Sequence, residues 1–269
     1  MFKFIYTSLL AAVLAVPVMA DAPATAADIS PTKIKIVSGV MEDEFIKLIV
    51  QQYALQNPDC KINITACSGT TEALKCLDAG AADLVVVQLQ KDTRKPVFGV
   101  LKPYAVITNP SSPLENISQA RLAKAFTGEI ASWSDLGGMK APIKIITFPA
   151  GSGAAVTLSQ LLGITDITAR NQLAENGERA VVALTAANPG SLGCVPVEYV
   201  NADVKILKID GVMPDQGSIA AGKYPLVARF LVLQSPKASA DTAQLVKFMR
   251  SSAGEEICRY LSLRRLKVE

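Results

Sequence analysis

The chain has 269 residues, half of them apolar and 19% charged, with a formal net charge of +3 and no histidine. That composition excludes a disordered chain, and the absence of histidine excludes Ser-His-Asp and Cys-His catalysis as usually built, together with His-ligated metal sites. Basic residues are scattered, so no nucleic-acid-binding stripe forms.

The first twenty residues, MFKFIYTSLLAAVLAVPVMA, carry one charge, Lys3, ahead of an apolar stretch that ends in Val18-Met19-Ala20. The pattern is that of a secretory signal peptide, cut after Ala20 or nearer Ala26-Ala27, and predicts a periplasmic protein. Its apolar part is too short for a membrane anchor. Removing it leaves 26 basic residues against 24 acidic ones. In an exported chain the five cysteines permit disulfides and leave at least one unpaired. Cys60 and Cys67 bracket a strand whose length, about 23 Å, forbids a bond between them. Cys67–Cys76, or Cys194 with an N-terminal partner, both remain open.

From Lys33 onward element types alternate. IKIVSG reads as a strand, and Asp43 to Gln56 as a helix with Phe45, Leu48, Ile49 and Tyr53 on one face. KINITAC is a strand, Thr71 to Leu77 a helix closed by Gly80, and ADLVVVQL an apolar strand. This alternation predicts an α/β fold with a parallel sheet. PYAVITN is a further strand, ended by Pro110 and Pro113. Ser118 caps a helix through Phe126, a turn holds the lone Trp133, and PIKIITF is a strand. Helices at 153–163 and 166–176 follow, then strands at 180–184 and 192–197. VKILKI and LVARFLVL are strands around a turn at Asp210-Gly211, and a helix runs over 239–250. Arg264-Arg265-Leu266-Lys267 reads as a solvated helix end. Two α/β units with short connections imply two lobes, the first spanning 28–108 plus 201–269 and the second 109–200.

PAGSGAAVTL, residues 149–158, places a glycine-flanked serine at a helix start. The first amides of a helix have no intrahelical acceptor, and the dipole's positive end lies behind them. Such a turn is a seat for an anion.

The ordered segments PYAVITNPSSPLENISQARLAKAFTGEIASWSDLGG, APIKIITFPAGSGA, GSLGCVPVEYVN, VKILKIDGV and IAAGKYPLVARFLVL resemble the periplasmic phosphate-binding proteins of phosphate ABC transporters. The resemblance spans nearly all of the chain after residue 20. It implies a two-lobed type II periplasmic solute-binding fold with a hinge, one small solute held between the lobes, an ABC-transporter permease as partner, a monomer, and neither cofactor nor metal. It also implies ligand-binding residues at Ser38, Gly39 and Met41 after the first strand, Thr70 and Thr71 after the second, Gln88 after the third, and Phe148, Ser152 and Gly153 at the glycine turn. Departures from the family pattern are specific: Gln88 stands for an Asp, Phe148 for an Arg and Ala154 for a Thr. The Arg lost at Phe148 would make a bidentate charge-assisted contact with an oxyanion. The sequence therefore predicts an anion seat without its counter-charge, suited to phosphate or to another small anionic or polar solute. An alternative is an exported accessory or sensor protein that uses the same fold with a lost or altered ligand site. No catalytic residue is assigned.

Overall fold

The computed structural model describes residues 33–40, 44–89, 94–138, 140–165, 167, 172–173, 177–261 and 263–266. The signal peptide at 1–20, Met41 of the candidate site and Lys267 of the terminal cluster lie outside these residues.

Strands β1 (Ile34–Ser38), β2 (Ile62–Ala66) and β3 (Leu84–Gln88) run parallel, with β1 between the other two. Helices α1 (Glu44–Gln56) and α2 (Thr70–Asp78) make their crossovers. Every β3 residue is buried, as expected for a strand covered on both faces. The sheet is mixed, not purely parallel. β10 (Val227–Gln234) lies antiparallel between β3 and the long strand β4 (Phe98–Thr108).

β4 connects two sets of strands. Phe98 to Pro103 pairs with β10, while Tyr104 to Thr108 pairs with β8 (Ser191–Pro196). Pro103 sits at the change of partner, where its missing N–H leaves no ladder bond unmade. Beyond β8 lie β6 (Lys144–Thr147) and β7 (Gln172–Leu173), both parallel. β9 (Lys205–Ile209) pairs with the second half of β4 and with β5 (Asn116–Ile117), so 205–209 hydrogen-bonds with the second set of strands.

Several helices begin at side-chain caps, and the sequence placed the one at Ser118. Ser118 accepts from the Arg121 amide at the start of α3 (Gln119–Thr127), Asp215 from Ser218 at the start of α6 (Gln216–Ala220), and Ser239 from Thr242 at the start of α7 (Ala240–Met249). Trp133 is 1% exposed and donates its indole N–H to the Gly190 carbonyl at 2.8 Å, as a packing residue would.

Three sequence expectations are corrected. Residues 180–184 are not a strand but part of helix α5 (Gly177–Ala187), which buries Val181, Val182 and Thr185 on one face. A short apolar run does not distinguish helix from strand. Within 166–176, residues 172–173 are strand β7, not helix. The terminal basic cluster is no helix end either: helix α8 (Ser252–Tyr260) precedes it, and Arg264–Arg265 form β11 against Val100 and Leu101 of β4. All five cysteines are free thiols.

Candidate functional site

The parallel strands β1 and β3 end at Ser38 and Gln88, at the carboxyl edge where open α/β sheets place ligands against helix N-termini. Gly39 makes this edge compact. A Cβ there would lie 2.8 Å from the backbone carbonyl of Gly69 and 3.0 Å from the Ala73 methyl. Only a glycine lets the turn after β1 lie this close to the start of α2.

Helix α2 begins at Gly69, whose φ of 146° is open to glycine, and has no side-chain cap. Thr70 does not cap the helix. Its hydroxyl donates to the Gln88 carbonyl and accepts from the Gln88 amide, each at 3.3 Å, which ties the helix start to the end of β3. Among the described residues, the first amides of α2 therefore have neither an intrahelical nor a side-chain acceptor. Thr71 is exposed beside them.

From the second set of strands, β6 leads through Phe148 into the Pro149–Gly151 turn and helix α4 (Gly153–Leu162). Gly151 takes φ 78° to make that turn. Ser152 is the N-cap and accepts from the Ala155 amide at 3.3 Å, leaving the Gly153 and Ala154 amides at the helix mouth. One turn further on, the Thr157 hydroxyl donates to Gln88 Oε1 at 3.1 Å. Gln88 is thus held by both helices.

The Gln88 side chain is 8% exposed, and its Nε2 has no hydrogen-bond partner among the described residues. A buried amide NH2 left unpaired costs about 1–3 kcal/mol, so native structures rarely keep one without reason. Thr147, at the end of β6, is 2% exposed with an equally unpartnered hydroxyl.

Two of the residues predicted from sequence face elsewhere. Ser38 is fully buried and donates its hydroxyl to the Val40 carbonyl at 3.0 Å, so it shapes the turn after β1. Phe148 is 4% exposed and packs with Ile146, Ala154, Ala155 and Val181, filling core beneath the α4 helix start. Thr157 was missed in the sequence. It lies inside the run that identified the helix, and only its pairing with Gln88 distinguishes it. Among the described residues no cluster of three or more Cys, Asp or Glu could hold a metal ion.

Helices α2 and α4 thus meet at the buried Gln88, one from each set of strands. Residues 23–253 match a PBP superfamily domain, so the chain belongs to the PBP superfamily. It is 27% identical over 191 residues to the phosphate-binding protein PstS of Bacillus subtilis (strain 168), covering 66% of this chain and 62% of that protein. It is 26% identical over 190 residues to the phosphate-binding protein PstS of Borreliella burgdorferi, covering 65% and 67% respectively. The matched region thus spans only about two thirds of these relatives' length. Among solved structures, an ABC-type phosphate transport receptor from Vibrio cholerae superposes with a TM-score of 0.78 at 19% identity, over 85% of this chain and 98% of that one. PstS from Borrelia burgdorferi superposes at 0.71 and 20% identity, over 88% of this chain and all of that one. The fold is therefore the two-lobed fold of these receptors.

Proposed function

We propose that the protein is an exported solute-binding protein that delivers phosphate, or another small anionic or polar solute, to an ABC-transporter permease. The proposed lobes are 28–108 with 201–269, and 109–200; β9, within 201–269, hydrogen-bonds with the second set of strands. The anionic or polar group of the solute sits between the mouth of α2, at Thr70 and Thr71, and that of α4, at Ser152 and Gly153. Gln88 Nε2 donates to it. Names of the relatives support the class of solute, and the PBP superfamily match supports the binding role.

The observation that carries the reading is Gln88 Nε2, buried and without a hydrogen-bond partner among the described residues, between the start of α2 at Thr70 and Thr157 one turn into α4. At the family positions of an Arg and an Asp, the described residues are Phe148 and Gln88. Backbone donors and an amide make a seat without counter-charge, which holds a dianion weakly. Ser38 and Phe148 facing inward also support the second reading, an exported accessory or sensor protein whose solute site has changed.

A thermal-shift screen of the chain lacking residues 1–20, against oxyanions, organic phosphates and amino acids, tests the proposal. A ligand at a hundredfold excess over its Kd stabilises the folded state by about 2.7 kcal/mol. Stabilisation that shrinks in Ser152→Ala supports the site; stabilisation by no compound in the screen would leave the accessory reading.

A further inference from the structure

A cavity of about 420 Å³ opens where β4 changes partners and is lined from both sets of strands. From the first set come Glu44 at the start of α1, Phe45, Phe230 of β10 and Tyr260 of α8. From the second come Arg179 of α5, with Glu198 and Tyr199 just after β8. Lys102 stands on β4 itself. None of the helix-start donors described above lines this space.

At its base Lys102 Nζ lies 3.7 Å from Glu198 Oε1, with both side chains 19% exposed. Each lies two residues from the Tyr104–Pro196 pair, Lys102 on β4 and Glu198 in the 3-10 turn that follows β8. The separation exceeds a charge-assisted hydrogen bond by most of an ångström. Two largely desolvated charges are therefore left loosely matched, which burial makes expensive. Burial raises the Glu198 carboxyl above its ordinary range, and Lys102 works against that shift.

The cavity's charges balance: Glu44 and Glu198 against Lys102 and Arg179. A dianion would meet two carboxylates, and a simple amine would meet an ammonium and a guanidinium. A molecule bearing both an ammonium and a carboxylate answers both pairs, and the aromatic walls suit an apolar body. Pockets of 300–1,000 Å³ suit small ligands of this size. We infer that this cavity is a binding site for a small zwitterion of the α-amino-acid class, its ammonium on Glu198 and its carboxylate between Lys102 and Arg179, with its side chain against Phe230 and Tyr199.

The site is distinct from the helix-start seat, so the two are separable by experiment. The chain lacking residues 1–20 is titrated calorimetrically with each common L-α-amino acid, and the best binder is compared with its analogues lacking the amine or the carboxyl group. At least one amino acid is expected to bind, and each truncated analogue should bind at least about tenfold more weakly. Glu198→Gln should weaken the amino acid about tenfold or more, and Arg179→Ala, on the exposed rim where folding is not at stake, about threefold. Ser152→Ala should leave it unchanged. Absence of binding by any amino acid, equal binding of the truncated analogues, or loss through Ser152→Ala in place of Glu198→Gln and Arg179→Ala would overturn the inference. A purely structural Lys102–Glu198 pair predicts the first of these. Phosphate binding sensitive to Ser152 could persist in that case, leaving the proposed solute-binding function standing.

Discussion

Replacing Gln88 and Thr157 together tests whether the buried amide is kept for a ligand. Thr157→Val removes the 3.1 Å bond to Oε1 and leaves both polar atoms of Gln88 buried without a side-chain partner. The expected cost is about 1–3 kcal/mol. Gln88→Met also loses that bond and strands the Thr157 hydroxyl, but it removes the orphaned Nε2, so the two effects nearly cancel. The double variant removes both partners and the orphan. Apolar replacement of a whole pair is close to neutral or stabilising, and here it should add about 1 kcal/mol to the ligand-free protein. Urea unfolding, followed by fluorescence of the lone Trp133, reads all four corners of the cycle. The double variant should also lose binding to whichever solute the screen finds. A double variant less stable than its parent by about 1 kcal/mol or more, or one with undiminished binding, would refute the argument.

Gly39→Ala should cost about 1–3 kcal/mol in the same assay, because the Gly69 backbone and Ala73 cannot both retreat from the new methyl group; a neutral result would mean the turn after β1 is freer than its packing shows. Trp133→Phe removes the indole donor from the Gly190 carbonyl, which keeps its bond from the Lys144 amide, so a loss of about 0.5–1.5 kcal/mol from that bond is expected by denaturant titration followed by circular dichroism. Thiol labelling of the native protein near pH 8 should modify Cys60, Cys67 and Cys76 but spare Cys194 and Cys258, which are 1% and 0% exposed. Burial, with Glu255 adding to it, pushes the Cys258 thiol up to about 11 from its ordinary 9.0. The folded state therefore keeps a proton that the unfolded chain gives up, and this contribution is present below pH 9 and lost as the pH rises toward about 11. A Cys258→Ala variant should show a shallower loss of stability over that alkaline range.

Much of the fold is legible in the sequence where a local signal and a long pattern agree. The helix at 153–162 starts at a glycine turn and ends at Gly163, and both ends are stated in the residues themselves. The strand LVARFLVL is equally plain as a strand, yet nothing local tells that it inserts antiparallel between β3 and β4. Partner choice is a property of the whole sheet. The run ERAVVALTAA fails for another reason: its β-branched residues favour strands, but the helix they form packs one face against the sheet, and tertiary packing overrides propensity. The two-residue strand Arg264–Arg265 is too short to carry any pattern.

The site divides along the same line. Glycines with a conformational duty, Gly39 and Gly151, and the cap at Ser152 are readable because turn and cap chemistry is local. Where a side chain points is not. Ser38 and Phe148 stand at family ligand positions and yet face inward, one into its own turn and the other into core. Thr157 and the charged cavity around Lys102 and Glu198 depend on contacts across more than sixty residues of chain. Spacing in sequence carries no trace of them.

Calorimetric titration of the chain lacking residues 1–20 with inorganic phosphate, repeated on Ser152→Ala, tests the central claim most directly. A seat of backbone amides and Gln88 without a counter-charge predicts a Kd weaker than about 1 µM, corresponding to less than roughly 8 kcal/mol of binding free energy, weakened further when Ser152 is removed. Submicromolar binding of phosphate would contradict the account, since it would require a cation that neither helix start supplies.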